Sequence, residues 1–188
     1  MYFLKFFAQR VLAGSALVFL LAASIDAQEI LLEDNFSGQP EQRWRFISDR
    51  VMGGVSTGKL TFELSDGDIV AHMTGTVSTA NNGGFIQFRR NIQVPKNARG
   101  IVLRVRGNDQ AYFIHARTRD ARVPWHHYRT TFDATSQWRD VNLPFNSFAP
   151  SSRGLPGKLR GSFIRSLGIV AYGREHRADI EVKWLAFY

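Results

Sequence analysis

The chain contains no cysteine. That absence excludes disulfide staples, thiolate nucleophiles, cysteine-ligated zinc and a lipidated N-terminal cysteine. The letters GxSxG occur once, at Gly54-Val55-Ser56-Thr57-Gly58, but they lead into the alternating run KLTFEL rather than a helix and so make no nucleophile elbow. No HxH or HExxH spacing occurs among the 188 residues. The usual signatures of serine hydrolysis and of metal hydrolysis are therefore missing. Acid is scarce beside base, with 16 Asp and Glu against 24 Lys and Arg, for a formal charge of +8. Without disulfides, stability must come from a packed core, and this length suffices to build one.

What is present begins with an export signal. Lys5 and Arg10 precede the uncharged run VLAGSALVFLLAA at 11–23, and small residues and Ala27 follow. A basic start, a short apolar stretch and a small residue at the cut site make a secretory signal peptide. The run falls short of the roughly 20 residues that a membrane-spanning helix needs. The expectation is a leader over 1–27, cut after Ala27 or near Ser24, and a single domain over 28–188. That domain would be exported, periplasmic or secreted, with no integral membrane segment. Lys5 and Arg10 outweigh Asp26 in the leader, so about +7 stays with the domain. A basic exported surface suits acidic lipid headgroups, anionic polysaccharide or an acidic protein face, and equally plain solvation. Nucleic acid is not expected as a partner there.

The domain has one dominant period, and it is two. KLTFEL (59–64) sets Leu60, Phe62 and Leu64 against Lys59, Thr61 and Glu63. GFIQFRR (84–90), GIVLRVRG (100–107), AYFIHART (111–118), HHYRTTFD (126–133) and IEVKWLAFY (180–188) alternate similarly. Such alternation places apolar side chains on one face of a strand. Turn clusters separate the runs: SDGD (65–68), NNGG (81–84), RGND (106–109) and PSSRGLPG (150–157). The spacing predicts ten or eleven strands in an antiparallel sandwich or barrel. A short helical turn is expected at 145–149, and the longest loop at 149–162.

Several motifs invite a functional reading. Gly53 to Leu60 nearly spells a phosphate-binding loop, but Leu60 stands where Ser or Thr must hold magnesium. The segment also opens a strand rather than a helix. The loop Ser48-Asp49-Arg50-Val51-Met52-Gly53-Gly54-Val55-Ser56 reads as a shaped connection or as amides facing a ligand. Asn81-Asn82-Gly83-Gly84-Phe85 reads as a tight turn entering a strand. His126 and His127 point to opposite faces of an ideal strand and cannot share one ion. His72 and His115 sit in other strands, and His176 stands beside Glu175. No metal site follows, and no cofactor is expected. A calcium ion is compatible with such a fold, but the chain has no dense acidic loop. His126 and Tyr128 share a strand face, with Trp125 before them and Arg122 and Arg129 nearby. That stretch is a candidate aromatic platform for sugar rings, weighed against ordinary core packing. Asp49, Asp133, Asp140 and Glu181 form no carboxylate pair visible in the sequence.

Taken in order, the motifs are more specific. Asp34-Asn35-Phe36, Trp44, the Asp49–Ser56 loop, Gly75-Thr76-Val77-Ser78, Asn82-Gly83-Gly84-Phe85 and Gly100–Gly107 come first. Tyr112, Trp138, Leu143-Pro144-Phe145, Phe148-Ala149-Pro150, Arg153-Gly154, Ile164–Gly168 and Ile180–Trp184 follow. This series resembles the complex I intermediate-associated protein 30 family across nearly all of 30–188. The resemblance implies an all-β, galactose-binding-domain-like fold, an antiparallel jelly-roll β-sandwich. It also implies a non-enzymatic role, since mitochondrial members act as assembly chaperones for respiratory complex I. Its marked positions fall here on Asp49, Met52, Gly53, Gly54, Ser56, Asn82, Gly83, Gly84, Phe85, Arg153 and Gly154, shaping one end of the sandwich. Arg50 joins them as part of the same loop. The partner implied is a protein, such as a membrane complex. The alternative is a glycan bound by an exported carbohydrate-binding module.

Overall fold

The computed structural model describes residues 29–188, so the expected leader lies outside the described residues. Its twelve strands form two six-stranded antiparallel sheets. The first sheet holds β3 (Thr57–Ser65), β4 (Asp68–Val77), β12 (His176–Phe187), β6 (Gly100–Gly107) and β9 (Arg139–Pro144) in that order. In this sheet β1 (Leu32–Asp34) pairs with β12. The second sheet runs β10 (Ala149–Pro150), β8 (Tyr128–Ala134), β7 (Gln110–Thr118), β11 (Ile164–Tyr172), β5 (Phe85–Asn91) and β2 (Arg45–Ser48). This is a jelly-roll β-sandwich.

The period-two reading explains the core. Met73, Ile86, Phe88, Leu103, Val105, Ile114, Ile169, Ile180 and Val182 are all fully buried between the sheets. Their strand neighbours point outward, as alternation requires. At roughly 1.5–3 kcal/mol for each large apolar side chain buried, this layer supplies the driving force that the missing disulfides cannot. Leu60 and Phe62 pack against that core as expected. Leu64 has the inward phase yet is 72 % exposed, at the hairpin end of edge strand β3. Asp66 and Gly67 both take left-handed backbone angles between the paired Ser65 and Asp68. That is the two-residue hairpin geometry the SDGD cluster favours.

The helical turn expected at 145–149 is a 3-10 turn, Phe145–Ser147, and Ala149–Pro150 is a short strand instead. A four-residue helix α1 (Pro40–Arg43) was not anticipated, being too short for periodicity to reveal. The loop 149–162 is anchored by Leu155 and Leu159, whose side chains enter the core. Near the first strand, the buried Asp34 accepts the Phe36 amide at 3.0 Å and the Trp44 indole N–H at 3.0 Å. It also accepts guanidinium hydrogens from Arg43 and Arg90. Burial opposes its charge, but these hydrogen bonds hold its carboxyl below the usual range. The Asp34-Asn35-Phe36 and Trp44 motifs are therefore one internal tie.

Candidate functional site

The Asp49–Ser56 loop and the Asn82–Phe85 turn meet around one carboxylate. Asp49 is fully buried. One of its oxygens accepts the Ser56 amide at 2.9 Å. The other accepts the Ser56 hydroxyl at 2.5 Å, the Gly84 amide at 2.6 Å and the Phe85 amide at 3.3 Å. Desolvation would raise the Asp49 pKa, but these bonds outweigh it and hold the carboxyl below its ordinary value. The Ser56 hydroxyl in turn accepts the Ser78 amide at 2.9 Å. The chain crosses between sheets from β2 to β3 and again from β4 to β5, and this clasp locks both crossings.

The glycines follow from that packing. A Cβ on Gly54 would stand 2.3 Å from the Asp49 carboxyl carbon, and one on Gly83 would stand 2.4 Å from its oxygen. No side chain fits at either place. The sequence left open whether the loop amides face a ligand. The Ser56, Gly84 and Phe85 amides face Asp49, so they are not free for one. Asn82 takes a left-handed turn conformation and is exposed, and Gly53 closes the 3-10 turn Asp49–Met52 at φ +91°. What the clasp presents outward is apolar. Val51 is 75 % exposed, Met52 60 % and Val55 46 %, with Arg50 exposed beside them.

The other predicted residues lie elsewhere. Trp125, His126 and Arg153 sit beside the start of β8, near the opposite edge of the second sheet from β2. The Ser151 amide bonds the His127 carbonyl at 2.8 Å, joining the two loops. By strand register, this is the corner diagonally opposite the Asp49 clasp. The expectation that the family positions shape one end of the sandwich is corrected accordingly. So is the platform of Trp125, His126 and Tyr128. Trp125 is exposed, but Tyr128 is in the core, and its hydroxyl donates to the Pro156 carbonyl at 2.7 Å. Its inward phase follows from Phe132 and Ala134, which share its side of β8. His126 lies before β8 begins, so no strand face joins it to Tyr128.

The sequence reading missed the outer face of the second sheet. Arg45, Arg89, Gly168, His115 and Arg129 form one transverse row across five strands. Ile47, Gln87, Val170, Phe113 and Thr131 form the next row. Phe85 and Tyr172 pair beyond it. Phe113 meets Tyr172 edge-on at 5.8 Å, and the Arg129 guanidinium lies 5.6 Å from the Tyr172 ring centre. His115 stacks on His127 at 3.9 Å. Burial and nearby positive charge push His115 down to about 2 and His127 down to about 4. Burial, with Arg117 and Arg45 close by, also lowers Arg89. Clues were present in aromatic residues and arginines occupying the polar phase of AYFIHART and GFIQFRR. Sequence alone could not say which phase faced out.

Fold and site together define a jelly-roll module with a stapled edge and a basic, ring-bearing outer face. The profile of the family described as complex I intermediate-associated protein 30 matches residues 35–182, and the chain belongs to that family. It is 32 % identical over 140 residues to the uncharacterized protein C9E9.15 of Schizosaccharomyces pombe. That match spans 63 % of this chain and 64 % of the yeast protein's length. Among solved structures, it is similar to the family 11 carbohydrate-binding module of the cellulosomal cellulase Lic26A-Cel5E from Clostridium thermocellum. The TM-score is 0.65 at 15 % identity, covering 84 % of this chain and 92 % of that one. The Clostridium thermocellum family 11 module in complex with a β-1,3-1,4-mixed-linked tetrasaccharide gives a TM-score of 0.66 at 16 % identity, over 82 % and 94 %. At such identity the likeness establishes the fold.

Proposed function

We propose that this domain is a protein-docking module of the assembly-factor kind, with no chemistry of its own. The observation that carries this reading is the apolar tip of Val51, Met52 and Val55, held out by a buried carboxylate clasp. Adjacent exposed apolar side chains on a rigid support suit a protein partner. Arg50 at the rim suits an acidic border on that partner. Family membership supports a partner of the membrane-complex type. The test is co-purification from detergent-solubilised membranes, comparing the parent with a Val51→Asp/Met52→Asp variant. Loss of the partner at unchanged thermal stability is expected. Equal recovery with the variant counts against this surface. Independently of that reading, the leader expected over 1–27 leads us to propose an exported protein, and a mature N-terminus beginning near Gln28 in a periplasmic or secreted fraction is the expected finding.

A second reading, an exported carbohydrate-binding module, is favoured by Phe85, Phe113 and Tyr172 on the outer face of the second sheet. A glycan array with no binder, repeated with calcium, would remove it.

A further inference from the structure

The outer face of the second sheet carries cations without counter-ions. Among the described residues, no acid lies within ion-pair distance of Arg45, Arg89, Arg117 or Arg129. Arg117 instead donates to the backbone carbonyls of His126 and Val123, which fixes its position without neutralising it. The Nε2 atoms of His115 and His127 are buried and have no hydrogen-bond partner. At the β2–β5 side, a cleft of about 260 Å³ opens between Arg45, Ile47, Arg89 and Asn91. Like charges so close repel, and a fold selected for stability alone has no reason to gather them.

Aromatic rings are interleaved with these cations. Phe113 and Tyr172 are half-buried on the same face, one and two side-chain rows along from Arg89 and His115. The surface thus offers forked donors beside apolar ring planes. A guanidinium matches a carboxylate with two parallel hydrogen bonds. A ring plane matches the apolar face of a sugar. An acidic peptide would more naturally pair along a free strand edge than across the middle of a sheet, where every backbone group is already paired.

We infer that this face binds an acidic oligosaccharide, with its carboxylates held by Arg45 and Arg89 and its sugar rings laid on Phe113 and Tyr172. The inference rests on the carbohydrate reading above and names its ligand class. It is independent of the Val51–Met52 tip.

Titration calorimetry on the protein with four probes tests it: an oligogalacturonate, the same oligomer fully methyl-esterified, a neutral mixed-linked glucan tetrasaccharide, and polyglutamate. The oligogalacturonate should bind, and binding should weaken as salt rises. Esterification should weaken it roughly tenfold or more, as should Arg45→Gln/Arg89→Gln. Phe113→Leu keeps the apolar bulk but removes the ring, and should weaken binding several-fold at unchanged melting temperature. Asp68→Asn on the other sheet should change nothing. Glucan and ester binding as tightly as the acid overturns the acidic preference while leaving the carbohydrate reading intact. No binding by any probe overturns both. Polyglutamate binding as tightly as the oligogalacturonate, with Phe113→Leu silent, overturns the saccharide in favour of charge alone.

Discussion

The two outer faces of the sandwich are built on the same alternation but treat charge in opposite ways. On the first sheet nearly every central charge has a partner. Arg106 meets Glu181 at 2.8 Å, Arg104 meets Asp140 at 3.0 Å, and Lys183 meets Asp68 at 2.5 Å. His72 bridges Glu63 and Asp179 at 2.6 and 2.8 Å. On the second sheet Arg45, Arg89, Arg117 and Arg129 face one another and the aromatic rings instead. Individual surface pairs are worth little, so the first face is an ordinary self-neutralised surface. The second gathers four arginines that no acid among the described residues neutralises. Net charge read from a sequence is a sum, and this comparison shows that its location carries the information.

The largest effect should come from the clasp that both faces share. Asp49→Ala would leave the Ser56, Gly84 and Phe85 amides buried without acceptors, at about 1–3 kcal/mol each. Stability in urea should fall by roughly 3 kcal/mol or more. A loss under about 1 kcal/mol would mean that this carboxylate does not close the sandwich edge.

Acidification should separate the faces by sign. The folded pKa values of His115 and His127 are depressed to about 2 and about 4. As pH falls below the unfolded value near 6.5, the unfolded chain takes up protons that the folded one refuses, and stability drops. The loss from His127 between pH 7 and 5 should be on the order of 1–2 kcal/mol, and His127→Gln should flatten that slope. His72 behaves oppositely. Burial opposes its charge, but Asp179 and Glu63 raise its pKa above the unfolded value. Its contribution is therefore full below about pH 6.5 and fades as pH rises through the raised folded value. His72→Gln should cost stability at pH 5.5 and little at pH 8.5. Denaturation midpoints across pH check both, and slopes of the same sign would break the contrast.

The smallest effect is a paired comparison of arginines. Arg106→Gln removes a partner of Glu181 and should cost about 0.5–1 kcal/mol. Arg89→Gln removes a cation from among Arg45 and Arg117 and should be neutral or stabilising by a few tenths of a kcal/mol. Added salt should narrow the difference, because it screens both the attraction and the repulsion. Equal costs for the two variants would show that the second face is not electrostatically crowded.

Much of the fold is legible in the sequence. Phe88, Ile114, Ile180 and their alternates announced strands because a pleated chain has a two-residue period whatever surrounds it. The 3-10 turn at Phe145 and the short helix at Pro40 were harder, since so few residues define no period. The candidate site was legible only in part. The Asp49, Gly54 and Gly83 motif stood out, and of its two readings the geometry matches the shaped connection, because the carboxylate is enclosed once two crossings close around it. Tyr128 was misassigned because Trp125 to His127 lie outside the strand, so their alternation meant nothing.

By itself, the sequence determined an all-β chain stabilised by packing without disulfides, its family, and an excess of base over acid. Those follow from composition, local period and motif order, which need no partner segment. Tertiary structure alone decided that Asp49 staples the two crossings between sheets. It alone gathered Arg45, Arg89, Arg117 and Arg129 from four separate strands onto one face. The reason is physical: a hydrogen bond to an amide 35 residues away, and repulsion between charges on non-adjacent segments, exist only when folding brings those segments together.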